Sequence, residues 1–84
     1  MSENGKDRLV VIEINTREEN VPHGKISFEE VVKIAFPAQA GQPNQGFTVT
    51  WHLKQNSHEH KLLAGMSVEV HERMVFLVGN THES

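Results

Sequence analysis

The sequence predicts an α+β domain in which one helix packs on one face of a single mixed sheet of four to five strands. Three observations carry that prediction. A short β-branched run, Leu9-Val10-Val11-Ile12-Glu13-Ile14, opens the patterned part of the chain and favours a strand over a helix. One stretch, 28–36, repeats its apolar residues at helical spacing behind a capping signal. From Phe47 onward the apolar residues return to a period of two, the spacing of half-buried strands. A lone helix among antiparallel strands gives one sheet covered by one helix.

Size and composition narrow the classes. A chain of 84 residues is one domain. A domain this small buries about 60–65% of its unfolded surface, so its core is one compact layer. The absence of cysteine excludes a disulfide framework and a thiolate metal cage. A net charge of −3 argues against nucleic-acid binding, which favours a basic domain. At 37% hydrophobic and 23% charged residues the composition is globular rather than disordered. No apolar run reaches the ~20 residues of a membrane helix, and the polar start Met1-Ser2-Glu3-Asn4-Gly5-Lys6-Asp7 is no secretory signal. The expectation is a cytoplasmic domain without membrane partners.

Residues 1–7 read as a disordered leader, 8–79 as the domain and 80–84 as a flexible tail. In the first strand Val10, Ile12 and Ile14 share one face, and Glu13 marks the face of Leu9 and Val11 as the solvated one. The polar run 15–20 suggests a hairpin turn into a weak strand around Val21, and Pro22 assigns that strand to an edge. Ser27-Phe28-Glu29-Glu30 fits a capping box, flanked by Ile26 and Val31 for a hydrophobic staple. Phe28, Val31, Val32 and Ala35 then form one buried helical face, and Pro37 ends the helix. The stretch 38–46 has the composition of a surface loop. Phe47, Val49, Trp51 and Leu53 point inward in the next strand, and Thr48, Thr50 and His52 outward. A turn at 54–58, a short strand at 59–64, an alternating segment Met66–Val70, a polar turn at 71–73 and a last strand Met74–Val78 complete the chain. The expected core is Val10, Ile12, Ile14, Val31, Val32, Phe47, Val49, Trp51, Met74, Phe76 and Val78, with Met66 a further candidate. This is the β-grasp order, in which the first and last strands lie side by side in parallel at the centre.

Residues suited to chemistry are few. His58 and His60 share a strand face and His52 is a third candidate imidazole, but no carboxylate or thiolate completes a metal set at fixed spacing. No cysteine nucleophile, G-x-S-x-G elbow or glycine-rich phosphate loop is present. Glu29 and Glu30 suit the dipole of a helix start rather than acid–base work. The expectation is a protein that is not an enzyme, with no cofactor and no metal.

The segments Lys25–Pro37, Phe47–Trp51, Gly65–Val70 and Met74–Val78, above all Ile26-Ser27-Phe28-Glu29-Glu30-Val31-Val32 and Thr48-Val49-Thr50, resemble the bacterial multiubiquitin-domain family of ubiquitin-like β-grasp proteins. The resemblance runs from about Leu9 to Val78. It implies a ubiquitin-like protein modifier served by an activating enzyme, a conjugating enzyme and a metal-dependent isopeptidase. Modifiers ready for activation end in Gly-Gly, whereas this chain ends Gly79-Asn80-Thr81-His82-Glu83-Ser84. Three readings stay open: activation at Ser84, trimming to Gly79, or a non-conjugated protein-interaction module. In the β-grasp order the outward rows of the first and last strands are expected to merge. Leu9, Val11, Val75 and Leu77 would then form an apolar docking patch bordered by Thr48, Thr50 and His52, on the face through which ubiquitin-like proteins are recognised. The same patch admits a homodimer contact, so the expected state is monomer or weak homodimer.

Overall fold

The computed structural model describes residues 8–38 and 46–80, apart from the side chains of Ser57 and Asn80. The expected leader 1–7, the surface loop over 39–45 and the tail residues 81–84 lie outside the described residues. Strand β1 (Leu9–Ile14) alternates as its sequence requires, with Val10, Ile12 and Ile14 buried and Leu9 exposed. Asn15 and Thr16 follow at φ 53° and 69°. Two consecutive left-handed residues make the tight hairpin turn whose twist matches that of the flanking strands. They lead into β2 (Arg17–Pro22), which pairs antiparallel along all of β1, from Leu9 opposite Pro22 to Ile14 opposite Arg17. The strand is longer than its polar sequence predicts because the hairpin register, rather than β-propensity, holds Glu18, Glu19 and Asn20 extended. It lies at the sheet edge, as Pro22 predicts.

Two short strands, β3 (Lys25–Ser27) and β6 (Ser67–Glu69), pair antiparallel in a ribbon separate from the main sheet. Three residues are too few for a legible period, and their partner lies some forty positions away, so β3 is absent from the sequence prediction. Met66 is a correction: it is 50% exposed rather than core. Its N–H donates to the Leu63 carbonyl at 2.9 Å and its carbonyl accepts from Phe28 N–H at 2.9 Å. These bonds place it in a turn, outside the alternation read from Val68 and Val70.

Helix α1 (Phe28–Ala35) begins at the expected capping box. Ser27 Oγ accepts from Glu30 N–H at 3.1 Å, and Glu30 Oε1 accepts from Ser27 N–H at 2.8 Å. The helix ends at Phe36, whose N–H still reaches the Val32 carbonyl at 2.8 Å, immediately before Pro37. Val31 and Val32 are buried, and Phe28, Ile34 and Ala35 are partly so. Ser27→Ala is expected to lower stability by about 1 kcal/mol, because the Glu30 N–H of the first turn loses its acceptor. Adding Glu30→Ala should remove the reciprocal bond as well. A melting temperature unchanged in the double variant would show that the box is energetically silent.

Strands β4 (Phe47–Leu53) and β5 (Asn56–Leu62) join through Lys54 and Gln55 alone. Strand β5 thus starts three residues before the predicted 59 and stops two before 64. Asn56 Oδ1 accepts from His58 N–H at 3.0 Å, and a bulge between Trp51 and Leu53 absorbs the register shift. The last strand, β7 (Met74–Asn80), runs two residues past the predicted Val78. The main sheet has the order β2-β1-β7-β4-β5, with β1 and β7 parallel and the other pairs antiparallel. One helix over such a sheet is the α+β, ubiquitin-like β-grasp arrangement.

The core lies between α1 and the sheet. Nine of the eleven expected core residues are buried, and Val21, Ile26, Leu62 and Val70 join them. Phe47 and Trp51 are half-buried against this cluster instead of enclosed. Trp51 pairs with His60 of the edge strand β5, and the two rings stack at 4.5 Å. An exposed imidazole thus lies over a ring that sequence alternation assigns to the interior.

Candidate functional site

Burial of Ile12, Ile14, Met74 and Phe76 turns the intervening residues of the two central strands to the face opposite the helix. Leu9, Val11, Val75 and Leu77 all belong to that outer face. The register then decides which of them meet. Glu13 is opposite Val75 across the parallel pair, and Ile14 is opposite Phe76. Val11 therefore sits one step below the level of Val75, about 7 Å along the strand. Leu9 is about 20 Å from the level of Leu77 by the same rise. Leu9 is 62% exposed and lies beside Pro22; Leu77 is 39% exposed and lies beside Thr50. The four side chains form a diagonal stripe, not the compact patch expected from strand order alone.

The centre of the stripe is Val75 and Leu77, both on the middle strand. Their neighbours on β4 are His52 and Thr50, so the expected polar border is present. His52 Nδ1 is 3.0 Å from the Leu53 carbonyl oxygen, a contact that orients its ring. Lys61 continues the row beyond Thr50. On the other flank Glu13 sits directly opposite Glu18, and Arg73 and Lys54 line the same shallow depression with Val11. Glu18 is the residue that sequence reasoning missed here. The two-residue turn at Asn15-Thr16 is the signal that finds it, since that turn length pairs residue 13 with residue 18.

Gly79, the expected trimming point, pairs with Thr48, and Asn80, read from the sequence as the first tail residue, pairs with Phe47, so both belong to β7. A methyl group added at Gly79 would lie 3.2 Å from Thr48 Oγ1. Cleavage after Gly79 would leave the new carboxylate within a paired strand. The other predicted terminus, Ser84, lies outside the described residues.

The three histidines considered together in the sequence are divided by the sheet. His60 stacks on Trp51 on the helix side of the sheet, with the His58 ring 5.1 Å away. His52 pairs with Val75 and faces outward. Among the described residues no group of three His, Cys, Asp or Glu side chains is placed to hold a metal ion. No helix among them is long and apolar enough to cross a membrane.

What the outer face offers is non-covalent recognition: two aliphatic side chains on a central strand, flanked by hydroxyls, an imidazole and a lysine, with carboxylates at one end. No curated protein and no solved structure matches the chain. A family profile described as multiubiquitin matches residues 10–82, from the second residue of β1 to beyond the end of β7. With that span matched and the β-grasp order in place, the chain belongs to the multiubiquitin family.

Proposed function

We propose that this ubiquitin-like domain serves a cytoplasmic protein-modification system and is recognised through the outer sheet face centred on Val75 and Leu77. The observation that carries the reading is their position. They are adjacent outward residues of the central strand β7, and the flanking positions on β4 are Thr50 and His52. An aliphatic centre with a polar rim is the anatomy of a protein-recognition surface. The partners would be an activating enzyme, a conjugating enzyme and a metal-dependent isopeptidase. A carboxylate used for conjugation would lie beyond Asn80, because the pairing of Gly79 with Thr48 keeps that glycine out of an enzyme channel. That pairing also favours a second reading, a non-conjugated interaction module that is only bound.

The test uses an activating and a conjugating enzyme of a ubiquitin-like modification system, with ATP. Val75→Lys combined with Leu77→Lys should preserve the circular dichroism spectrum, since neither side chain faces the core. Binding to the activating enzyme by titration calorimetry should fall at least about thirtyfold, as when a central hot spot is lost. Undiminished binding by the folded variant would overturn the docking surface. Mass spectrometry separates the two readings. A covalent product should form equally well with Gly79→Ala if the chain beyond Asn80 carries the carboxylate. Loss of product in that folded variant would return the role to Gly79, and no product from the unmodified protein would leave the non-conjugated module.

A further inference from the structure

A groove of about 410 Å³ lies away from the outer face, where β2 and β3 meet the helix. Its volume falls in the range of specific ligand sites. Val21, Ile26 and Ile34 give it an apolar floor, with Pro22, Lys25, Lys33 and Glu30 around the rim. Val21 and Ile26 are buried and Ile34 is partly buried, so this floor is continuous with the core.

One wall of the groove is an open sheet edge. Strand β2 is outermost in the main sheet. His23 N–H donates to the Arg8 carbonyl at 2.9 Å. In an antiparallel ladder the direction alternates residue by residue, so Val21 and Glu19 also turn their backbone groups toward β1. Pro22, Asn20 and Glu18 turn theirs away from the sheet, where no described strand pairs with them. Pro22 contributes an acceptor only, while Asn20 and Glu18 each present a donor and an acceptor.

The charges around the groove are unequal in availability. The Glu30 carboxylate accepts from Ser27 N–H at 2.8 Å and is engaged in the helix cap. Lys25 and Lys33 are exposed and have no ion-pair partner among the described residues. Farther along β2 the sign reverses at Glu18 and Glu19. The groove therefore has a positive end and the adjoining edge a negative one.

We propose that the groove and the β2 edge together bind an extended segment of another protein by strand addition. The backbone of that segment pairs with Glu18, Asn20 and the Pro22 carbonyl. Its alternate side chains are aliphatic and enter the groove over Val21, Ile26 and Ile34. Its carboxylates lie at the Lys25–Lys33 end, and its residues near Glu18 and Glu19 are neutral or basic. Main-chain pairing supplies affinity and the alternate pockets supply selectivity in this mode of recognition. A second copy of this chain is a poor occupant, because its own β2 edge, Arg17-Glu18-Glu19-Asn20-Val21-Pro22, brings one aliphatic side chain and repeats the carboxylates. The proposal is independent of the outer-face reading, since the two surfaces share only Glu18, and Val75 and Leu77, the centre of the outer face, take no part in the groove.

The probe is the acetylated, amidated peptide Glu-Asp-Val-Thr-Ile-Thr-Val, together with its reversed sequence, titrated into the ¹⁵N-labelled protein. At least one of the two should shift the amide signals of Glu18, Asn20, Lys25, Lys33 and Ile34 and leave those of Val75 and Leu77 in place. Replacing the two acidic residues of the probe by Lys should weaken binding about tenfold, as should Lys25→Glu with Lys33→Glu in the protein. Those lysines are exposed, so the variant keeps its fold. Val75→Lys with Leu77→Lys should bind the peptide as the unmodified protein does, which separates this test from that of the outer face. The proposal is overturned if neither peptide perturbs the groove at millimolar concentration, if the shifts fall on the outer face, or if charge reversal leaves the affinity unchanged.

Discussion

Phe76→Ala is expected to leave the domain largely unfolded at room temperature. Phe76 has no exposed surface and heads the fully buried side chains by volume. It lies on the middle strand, opposite Ile14 on one side and Trp51 on the other, so a cavity there has no nearby loop that can collapse into it. Truncating a buried Phe costs about 3–5 kcal/mol. A domain of this size has only about 4–12 kcal/mol in total. Urea denaturation followed by the single tryptophan, Trp51, is the measurement. A midpoint within error of the unmodified protein would show that β7 is not the structural centre. Phe76→Leu, which keeps most of the volume, should cost less than about 1.5 kcal/mol and retain a cooperative transition.

The second large effect is expected at a polar residue. Strand β1 ends at Ile14, yet Asn15 continues its pairing with β7. Its backbone N–H donates to the Phe76 carbonyl at 3.0 Å. Its side chain then acts as one more peptide group: Nδ2 donates to the Val78 carbonyl at 3.1 Å, and Oδ1 accepts from Val78 N–H at 2.9 Å. Asn15 does this at φ 53°, a left-handed conformation that Asn tolerates better than most residues. Asn15→Ala removes both side-chain bonds and leaves two part-buried backbone groups of Val78 without them. The expected loss is about 2–4 kcal/mol, counting the added backbone strain. Asn15→Gly relieves the strain but not the lost bonds, so it should fall between Ala and the unmodified protein. Amide exchange at Val78 should accelerate in both variants. An unchanged denaturation midpoint in Asn15→Ala would mean the clamp contributes nothing.

The legible parts of this fold are those governed by near neighbours. The capping box at Ser27 and Glu30 involves residues three apart, and its two hydrogen bonds are made within that span. The inward set Val10, Ile12 and Ile14 follows from strand alternation. The edge position of β2 follows from one missing donor at Pro22. The family resemblance adds to these, and it rests on the same helix start and strands.

The candidate site was legible only as a face. Period-two alternation puts Leu9, Val11, Val75 and Leu77 on one side of the sheet whatever the register. Which of them touch depends on how two strands at opposite ends of the chain slide past each other. Here Glu13, not Val11, comes level with Val75. A pairing between residues 63 positions apart, such as Asn15 with Val78, leaves no local signature.

By itself, then, the sequence determined the helix with its cap, the inward and outward rows of the central strands, the edge role of β2 and the β-grasp order. Each of these is set by interactions within a few residues, or by a covalent property of one residue. Only the tertiary structure decided the β3–β6 ribbon, the exposure of Met66, the stacking of Trp51 on His60, the stagger of the aliphatic stripe and the inclusion of Gly79 in β7. These depend on hydrogen bonds and contacts between segments distant in the chain, whose register is chosen by the packing of the whole core rather than by any single segment.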